Sequence, residues 1–285
     1  MKMTYIPSLS LPAPSLFGLS PRQQCEALKR AGFQGIELFL FPGILKRIPE
    51  YQRLTEECGL RLSFHQPWSE KEGGGFFVNK ILGAIGFLPK NDYSFEDLIA
   101  RGRSELFIAY ADRFNEVVKL DRETDDLKVS WAFQTACAWQ NEGKKFTHSM
   151  SYEKFSEQVL RTRFPIVFDT FHMLEWRLDA PGGKALGQYD EDHLAEEMLR
   201  AWHDCKPERI VEIHWNDFTG KAAGDGRDCL PGKGKLTKGL NLLAKEILRS
   251  GWNGTIVPEI SPFLLFPYRE RTLIALRERM EAFFQ

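Results

Sequence analysis

One pattern governs most of this chain: a helix, then glycine or proline, then a short apolar strand, over and over. Ser20-Pro21 reads as an N-cap and a first helical residue, and the helix it opens stops near Gly32. Strand Gly35 to Leu40 (GIELFL) follows. A helix over 48–58 ends at Gly59 and gives Leu60 to His65 (LRLSFH). Helices over 152–160, 192–204 and 240–248 are each followed by an apolar run: PIVFD, IVEIH and GTIVPE. A final helix fills 269–283. Strands that alternate with helices pair in parallel through crossovers. Near-continuous apolar runs suit strands covered on both faces.

Strands are therefore expected at 3–10, 35–40, 61–67, 131–141, 165–171, 210–216 and 254–260. Closing an eight-stranded barrel takes one more. The segment 116–121 (EVVKLD) is the candidate fourth strand, and a degenerate fourth unit is the other reading. An open doubly wound sheet competes, but no Gly-rich nucleotide fingerprint follows any strand. The expectation is an α/β fold, a (β/α)8 barrel spanning 1–285 as one domain.

Composition narrows the functional classes. The 285 residues are 43% hydrophobic and 27% charged, which supplies a core without staples and excludes collagen, coiled coil and wholesale disorder. Lys and Arg total 38 against 39 Asp and Glu, a net charge of −1, so general nucleic-acid binding is not expected. No apolar run approaches the ~20 residues of a membrane helix, and Met1 to Ser20 does not read as a signal peptide. Cys25, Cys58, Cys137, Cys205 and Cys229 are odd in number and scattered. That favours a reducing, cytoplasmic setting over disulfides or a Cys-based zinc finger.

Asp169, His214 and Glu259 stand at or near the C-terminal ends of three consecutive expected strands, about 45 residues apart. In a barrel such ends share one rim, where polar side chains converge. Two carboxylates and a neutral imidazole, with no thiolate, suit Zn, Mn, Fe or Mg-like ions. The plainer alternative is three ordinary strand-end groups making caps and ion pairs. Two Gly-rich loops follow strands and belong to the same face: 71–92, and 220–235 with Lys221, Arg227, Lys233 and Lys235. The second could bind phosphate or simply be a solvated basic loop.

Asp169-Thr170-Phe171-His172-Met173, His214-Trp215-Asn216-Asp217, Pro231-Gly232-Lys233-Gly234 and Pro258-Glu259 together resemble the xylose isomerase-like barrels. Gly32-Phe33-Gln34-Gly35-Ile36-Glu37-Leu38 and Ser151-Tyr152-Glu153-Lys154-Phe155 are similar to that superfamily too. It holds sugar isomerases and epimerases, inosose and dehydroshikimate dehydratases, and endonuclease IV of AP endonuclease family 2.

The resemblance implies a divalent metal (Zn, Mn, Mg or Co) held by Glu, Asp, His and Glu from strands five to eight. The last three map onto Asp169, His214 and Glu259. Where the family shows Glu-Asn, this chain has Gln140-Asn141 and then Glu142. Gln140 can ligate through its carbonyl oxygen but cannot act as a base. Glu142 faces the same way two residues on, so either Glu142 substitutes or the site has lost a carboxylate.

Around this set, His172, His65, Glu37 and Lys221 are candidates to contact substrate, and Glu212 is a candidate buried partner of His214. As second-metal ligands, His172 and His65 are the endonuclease-like alternative. Asp228-Cys229 stands where endonuclease IV shows Asp-x-His, so its three-metal cluster is not expected. Trp68, Trp139, Trp176 and Trp215 could wall a sugar pocket or simply pack.

The leading functional expectation is a metal-dependent isomerase or epimerase of a small sugar or polyol. Glu259 would be its base and Glu142 or a water the counterpart. The alternatives are a dehydratase of a keto-polyol and, because of Gln140, a non-catalytic sugar-binding barrel. An abasic-site endonuclease ranks last. The partner is a small molecule, and a homo-oligomer is compatible with the sequence.

Overall fold

The computed structural model describes residues 7–16, 18–67, 106–123, 130–136, 139–142, 145–221, 228–265 and 270–285. Eight parallel strands close into a barrel: β1 (Ser8–Pro12), β2 (Gly35–Phe39), β3 (Arg61–His65), β4 (Leu106–Tyr110), β5 (Trp131–Gln134), β8 (Ile166–Asp169), β9 (Ile210–His214) and β10 (Thr255–Val257). Strand β10 pairs back onto β1, so among the barrel strands no edge is left open. Two further strands, β6 (Trp139–Glu142) and β7 (Lys145–His148), form a separate antiparallel hairpin.

Besides two single-turn helices at Pro42–Leu45 and Gly183–Leu186, the helices among the described residues are α1 (Pro21–Ala31), α2 (Ile48–Cys58), α3 (Phe114–Glu123), α4 (Tyr152–Phe155, continued by a π turn to Leu160), α5 (His172–Arg177), α6 (Glu191–Asp204), α7 (Thr237–Ser250) and α8 (Glu270–Glu281). The expected starts and stops are visible in α1. Ser20 and Gln23 cap each other reciprocally, Pro21 is the first helical residue, and Gly32 ends the helix at φ 85°. Gly35 then enters β2 so close to β1 that any side chain there would strike Ser10.

Two expectations are corrected. The fourth strand is Leu106–Tyr110, and 116–121 lies inside helix α3. Val117 and Leu120, three apart, are the buried face of that helix. The fifth strand stops at Gln134 rather than running to 141, because 139–142 turns out of the barrel sheet into the hairpin. Residues 1–6, which include 3–6 of the expected first strand, and the loop 71–92 lie outside the described residues, as do 222–227 of the second Gly-rich loop.

The main core lies between strands and helices and includes Leu28, Phe107, Phe133, Phe168, Leu240 and Ile256. Trp176 and Trp215 belong to it rather than to a pocket wall. Trp176 donates to the Met150 carbonyl at 2.7 Å, and Trp215 packs on Phe283 and Phe284. Trp68 and the side chain of Trp139 lie outside the described residues. Ile108, Ala132 and Val167 form a small separate cluster. Ala132 and Val167 precede Gln134 and Asp169 by two residues, so this apolar plug lies one strand step below the polar layer. No helix among the described residues is long and apolar enough to cross a membrane.

Candidate functional site

Sheet register brings the site together. Asp169, last in β8, pairs with His214, last in β9, and His214 pairs with Val257, last in β10. Glu259 lies two residues beyond Val257. The ligand atoms of Asp169, His214 and Glu259 fall within 4.8 Å of one another. His214 Nδ1 is 3.6 Å from both Asp169 Oδ2 and Glu259 Oε2. Asp169 and His214 are fully buried and Glu259 is 3% exposed.

The other edge of the imidazole is held from below. His214 Nε2 donates to Glu37 Oε2 at 3.1 Å and lies 3.4 Å from Glu212 Oε1. Glu37 comes from β2 on the far side of the barrel and Glu212 from β9 itself. Two carboxyl groups at Nε2 fix its hydrogen there, which turns the Nδ1 lone pair toward Asp169 and Glu259. Glu37, Glu212 and His214 also meet the spacing of a metal cluster, but their hydrogen-bond distances mark them as the support of the imidazole.

Asp169 is aimed by its neighbours. Its Oδ1 accepts the backbone N–H of Phe171 (2.9 Å) and His172 (2.8 Å). Asn216 Nδ2 donates to both oxygens, at 3.0 and 3.1 Å. Its own backbone N–H is tied to Thr135 Oγ1 at 2.8 Å. His172 Nδ1 bonds to Glu175 Oε2 at 2.7 Å, with Glu175 wholly buried and the His172 side chain 18% exposed. This makes His172 a braced imidazole at the rim.

Gln134, last in β5, sits among these groups although the expected strand-five ligand was Gln140 or Glu142. It is 2% exposed. Its Nε2 is 3.0 Å from both Asp169 Oδ2 and His214 Nδ1, and its Oε1 is 2.8 Å from His65 Nε2. A signal for it exists in the sequence: Trp131-Ala-Phe-Gln134-Thr135 has the form of Ile166-Val-Phe-Asp169-Thr170. The strand-five position belongs to Gln134. Gln140 and Glu142 stand on the β6–β7 hairpin, and their side chains lie outside the described residues.

His65, wholly buried at the end of β3, bonds through Nδ1 to the Gln66 carbonyl at 2.6 Å. Its ring packs at a tilt of 31° against Phe39 with ring centroids 4.2 Å apart. Lys221 is exposed; its backbone N–H donates to Thr219 Oγ1 at 3.4 Å. The base of its loop is laced by Asp217, whose carboxylate accepts from the backbone of Phe218, Gly232, Gly234 and Leu236 and from Thr237 Oγ1.

Electrostatics follow from dense burial. Burial lowers the pKa of His214, but Glu37 and Glu259, with the bonds to Asp169 and Glu212, outweigh it and hold the imidazole well above its ordinary value. Burial pushes Glu37 up to about 8 despite His214. Burial also raises Asp169, yet His172 and His214 beside it bring it below the usual carboxylate range. His65 is pushed down to about 4 by burial and then by His214. A buried cluster that holds a strongly basic imidazole against two carboxylates is built for a positive charge at Nδ1, either a proton or a metal ion. By donor chemistry, two oxygens and an imidazole nitrogen fit a divalent ion of the Zn, Mn or Mg kind.

No protein-family model matches the sequence, and no curated protein matches it. Solved structures do. A xylose isomerase domain containing protein from Salmonella typhimurium LT2 superposes with TM-score 0.60 at 13% identity, covering 97% of this chain and 96% of that one. The 3-keto-D-glucoside 4-epimerase of E. coli matches at 0.56 and 14%, covering 96% and 100%. The probable 3-DHS dehydratase of Bacillus anthracis matches at 0.55 and 12%, covering 96% and 98%. The architecture is thus a (β/α)8 barrel with a buried acid and imidazole cluster at the C-terminal mouth. Its fold is that of the xylose isomerase-like barrels.

Proposed function

We propose that this chain is a divalent-metal-dependent enzyme of the isomerase or epimerase kind. Its substrate would be a small sugar or polyol carrying a carbonyl, and its chemistry the movement of a proton from the carbon beside that carbonyl. The observation that carries the reading is the convergence of Asp169, His214 Nδ1 and Glu259 within 4.8 Å at the mouth of the barrel. Asp169, His214 and Glu259 would hold the ion. When bound, it supplies Lewis acidity that makes the neighbouring carbon-bound proton easier to remove.

Glu259 is the base of this proposal, since its carboxylate stands at the rim end of the cluster, two residues past β10. Glu37 and Glu212 keep the His214 ring in one orientation. His172, braced by Glu175, binds a substrate hydroxyl at the rim. His65, packed against Phe39, would contact the substrate from the end of β3, and Lys221 would reach a phosphate or hydroxyl from the loop after β9. Glu142 or a water completes the proton traffic.

Gln134 favours a second reading. A neutral amide cannot take a proton, so exchange between two carboxylates on opposite faces of a carbon is not available at strand five. Elimination of water needs only one base and one acid, and Glu259 with His172 would supply them. The likeness in fold to both an epimerase and a dehydratase is compatible with either.

The test is direct. Purified protein should carry about one divalent ion per chain by plasma mass spectrometry. It should turn over some member of a panel of ketoses, inososes and keto-acids, with activity lost to a chelator. Mass spectrometry then separates the two chemistries, because a dehydratase product is one water lighter. Metal-free protein that cannot be loaded would overturn the proposal.

A further inference from the structure

Only half of the Asn216 amide is used. Strand geometry carries on past β9, because the Trp215 backbone N–H donates to the Val257 carbonyl at 2.8 Å. Asn216 therefore stands one strand step beyond His214 on the same face, nearer the mouth than the imidazole. It is fully buried. Its backbone N–H donates to Thr170 Oγ1 at 2.9 Å, and that hydroxyl lies 3.2 Å from the Asn216 carbonyl oxygen.

The side chain has one stable orientation. Its Nδ2 is 3.0 and 3.1 Å from the two oxygens of Asp169, one of which also takes two backbone N–H groups. Acceptors on that side call for the NH₂ group, so Oδ1 is the atom left over. It is buried, and among the described residues no group donates to it. Turning the amide over would only set Oδ1 against the Asp169 oxygens. A buried carbonyl held in place without a donor is an unmet acceptor, and a bound donor returns the free energy of its desolvation.

Strand β9 lies between β8 and β10 in the barrel. An amide on β9 whose nitrogen faces Asp169 of β8 turns its oxygen away from β8, to the side where Glu259 stands beyond β10. We propose that Asn216 Oδ1 accepts a hydrogen bond from the substrate hydroxyl on the carbon beside the carbonyl, which makes an α-hydroxy ketone the substrate class of this site. This rests on the metal-dependent isomerase reading above and narrows it. A ketone carbonyl only accepts, so the neighbouring hydroxyl is the group that can serve Oδ1. A ketone without it leaves Oδ1 unpaired in a dry site, which is how a buried polar group rejects an analogue. The same hydrogen bond holds the carbon that is to lose its proton on the Glu259 side.

The probes are dihydroxyacetone, with a hydroxyl on each carbon beside the carbonyl, and acetone, with none. Their dissociation constants are read by NMR titration on wild type and Asn216→Ala, both saturated with Zn²⁺. The preference for dihydroxyacetone should fall about tenfold or more in Asn216→Ala. If Asn216 serves only to aim Asp169, its loss weakens both probes alike, and an unchanged preference overturns the proposal. Wild type that binds neither probe, or both equally, overturns it too.

The wild type alone provides a further check. In protein labelled with ¹³C,¹⁵N-asparagine, the Asn216 carboxamide carbon should shift downfield when dihydroxyacetone is added and stay in place with acetone. A carbon indifferent to both overturns the proposal. Protein that takes up no Zn²⁺ removes the metal reading together with this inference. Zn²⁺-loaded protein that fails the probe tests removes only this inference.

Discussion

Asp169 receives hydrogen bonds from two backbone amides, from Asn216 and from Gln134, all while buried. Those donors aim a full carboxylate, and half of the aim is lost with one oxygen. Asp169→Asn should therefore lower metal content from about one to below a tenth of an ion per chain, read by plasma mass spectrometry. Its far-UV circular dichroism should stay native. Full metal content in the variant would contradict a ligand role. His214 makes a second prediction at this scale. Its carboxylate surroundings hold its pKa well above the ordinary value, so at pH 7 the metal-free ring is charged. An ion at Nδ1 must displace that proton. Calorimetry of Mn²⁺ binding in buffers of different ionisation enthalpy should show close to one proton released at pH 7. Apparent affinity should fall about tenfold per pH unit on acidification. Binding without proton release would place the ion elsewhere.

Among the elements, the loop after β9 depends on one buried side chain. Asp217 gathers the backbone of 232, 234 and 236, and any side chain at Gly234 would strike it. Asp217→Asn sets an amide N–H against N–H donors and should cost about 2–3 kcal/mol in urea unfolding. A change below about 0.5 kcal/mol would mean that the loop is held by other contacts.

Elements like these are partly legible in the sequence. Caps at Ser20 and Gly59 and short apolar runs such as IVFD mark their strands because burial on both faces demands an unbroken apolar stretch. EVVKLD misleads because its adjacent valines mimic a strand, while the deciding spacing, Val117 to Leu120, only has meaning once the face it packs against is known. At 131–141 the apolar and aromatic run WAFQTACAW conceals the stop at Gln134, so the strand is expected to run on through Gln140. The trio Asp169, His214 and Glu259 is legible because each strand before it is unambiguous. The roles of His65 and Asn216 are not, since they follow from pairing distant strands.

For the whole molecule, the eight strands close around a charge imbalance as well as an apolar plug. His214 is ringed by Asp169, Glu259, Glu37 and Glu212. Without a metal, a raised imidazole pKa contributes stability that is fully present below about pH 6.5 and is lost as pH rises through the folded value. Glu37, pushed up to about 8, acts with the same sign: its contribution is present below about pH 4.5 and is lost as pH climbs through 8. Asp169 is lowered, so its contribution changes only in acid. A bound divalent ion reverses the dependence, because it needs His214 without the extra proton and gains as pH rises. At one hundred times the dissociation constant it adds about 2.7 kcal/mol. For a chain of this length that raises the melting temperature by about 5 °C. Scanning calorimetry of chelated and Mn²⁺-loaded protein should therefore show a gap in melting temperature that widens from pH 6 to pH 8. The widening comes from both curves: the chelated protein loses ground as the imidazole of the unfolded chain gives up the proton that the folded one keeps, and the loaded protein holds. A gap that is constant with pH would show that the ion and the His214 proton do not compete for one nitrogen.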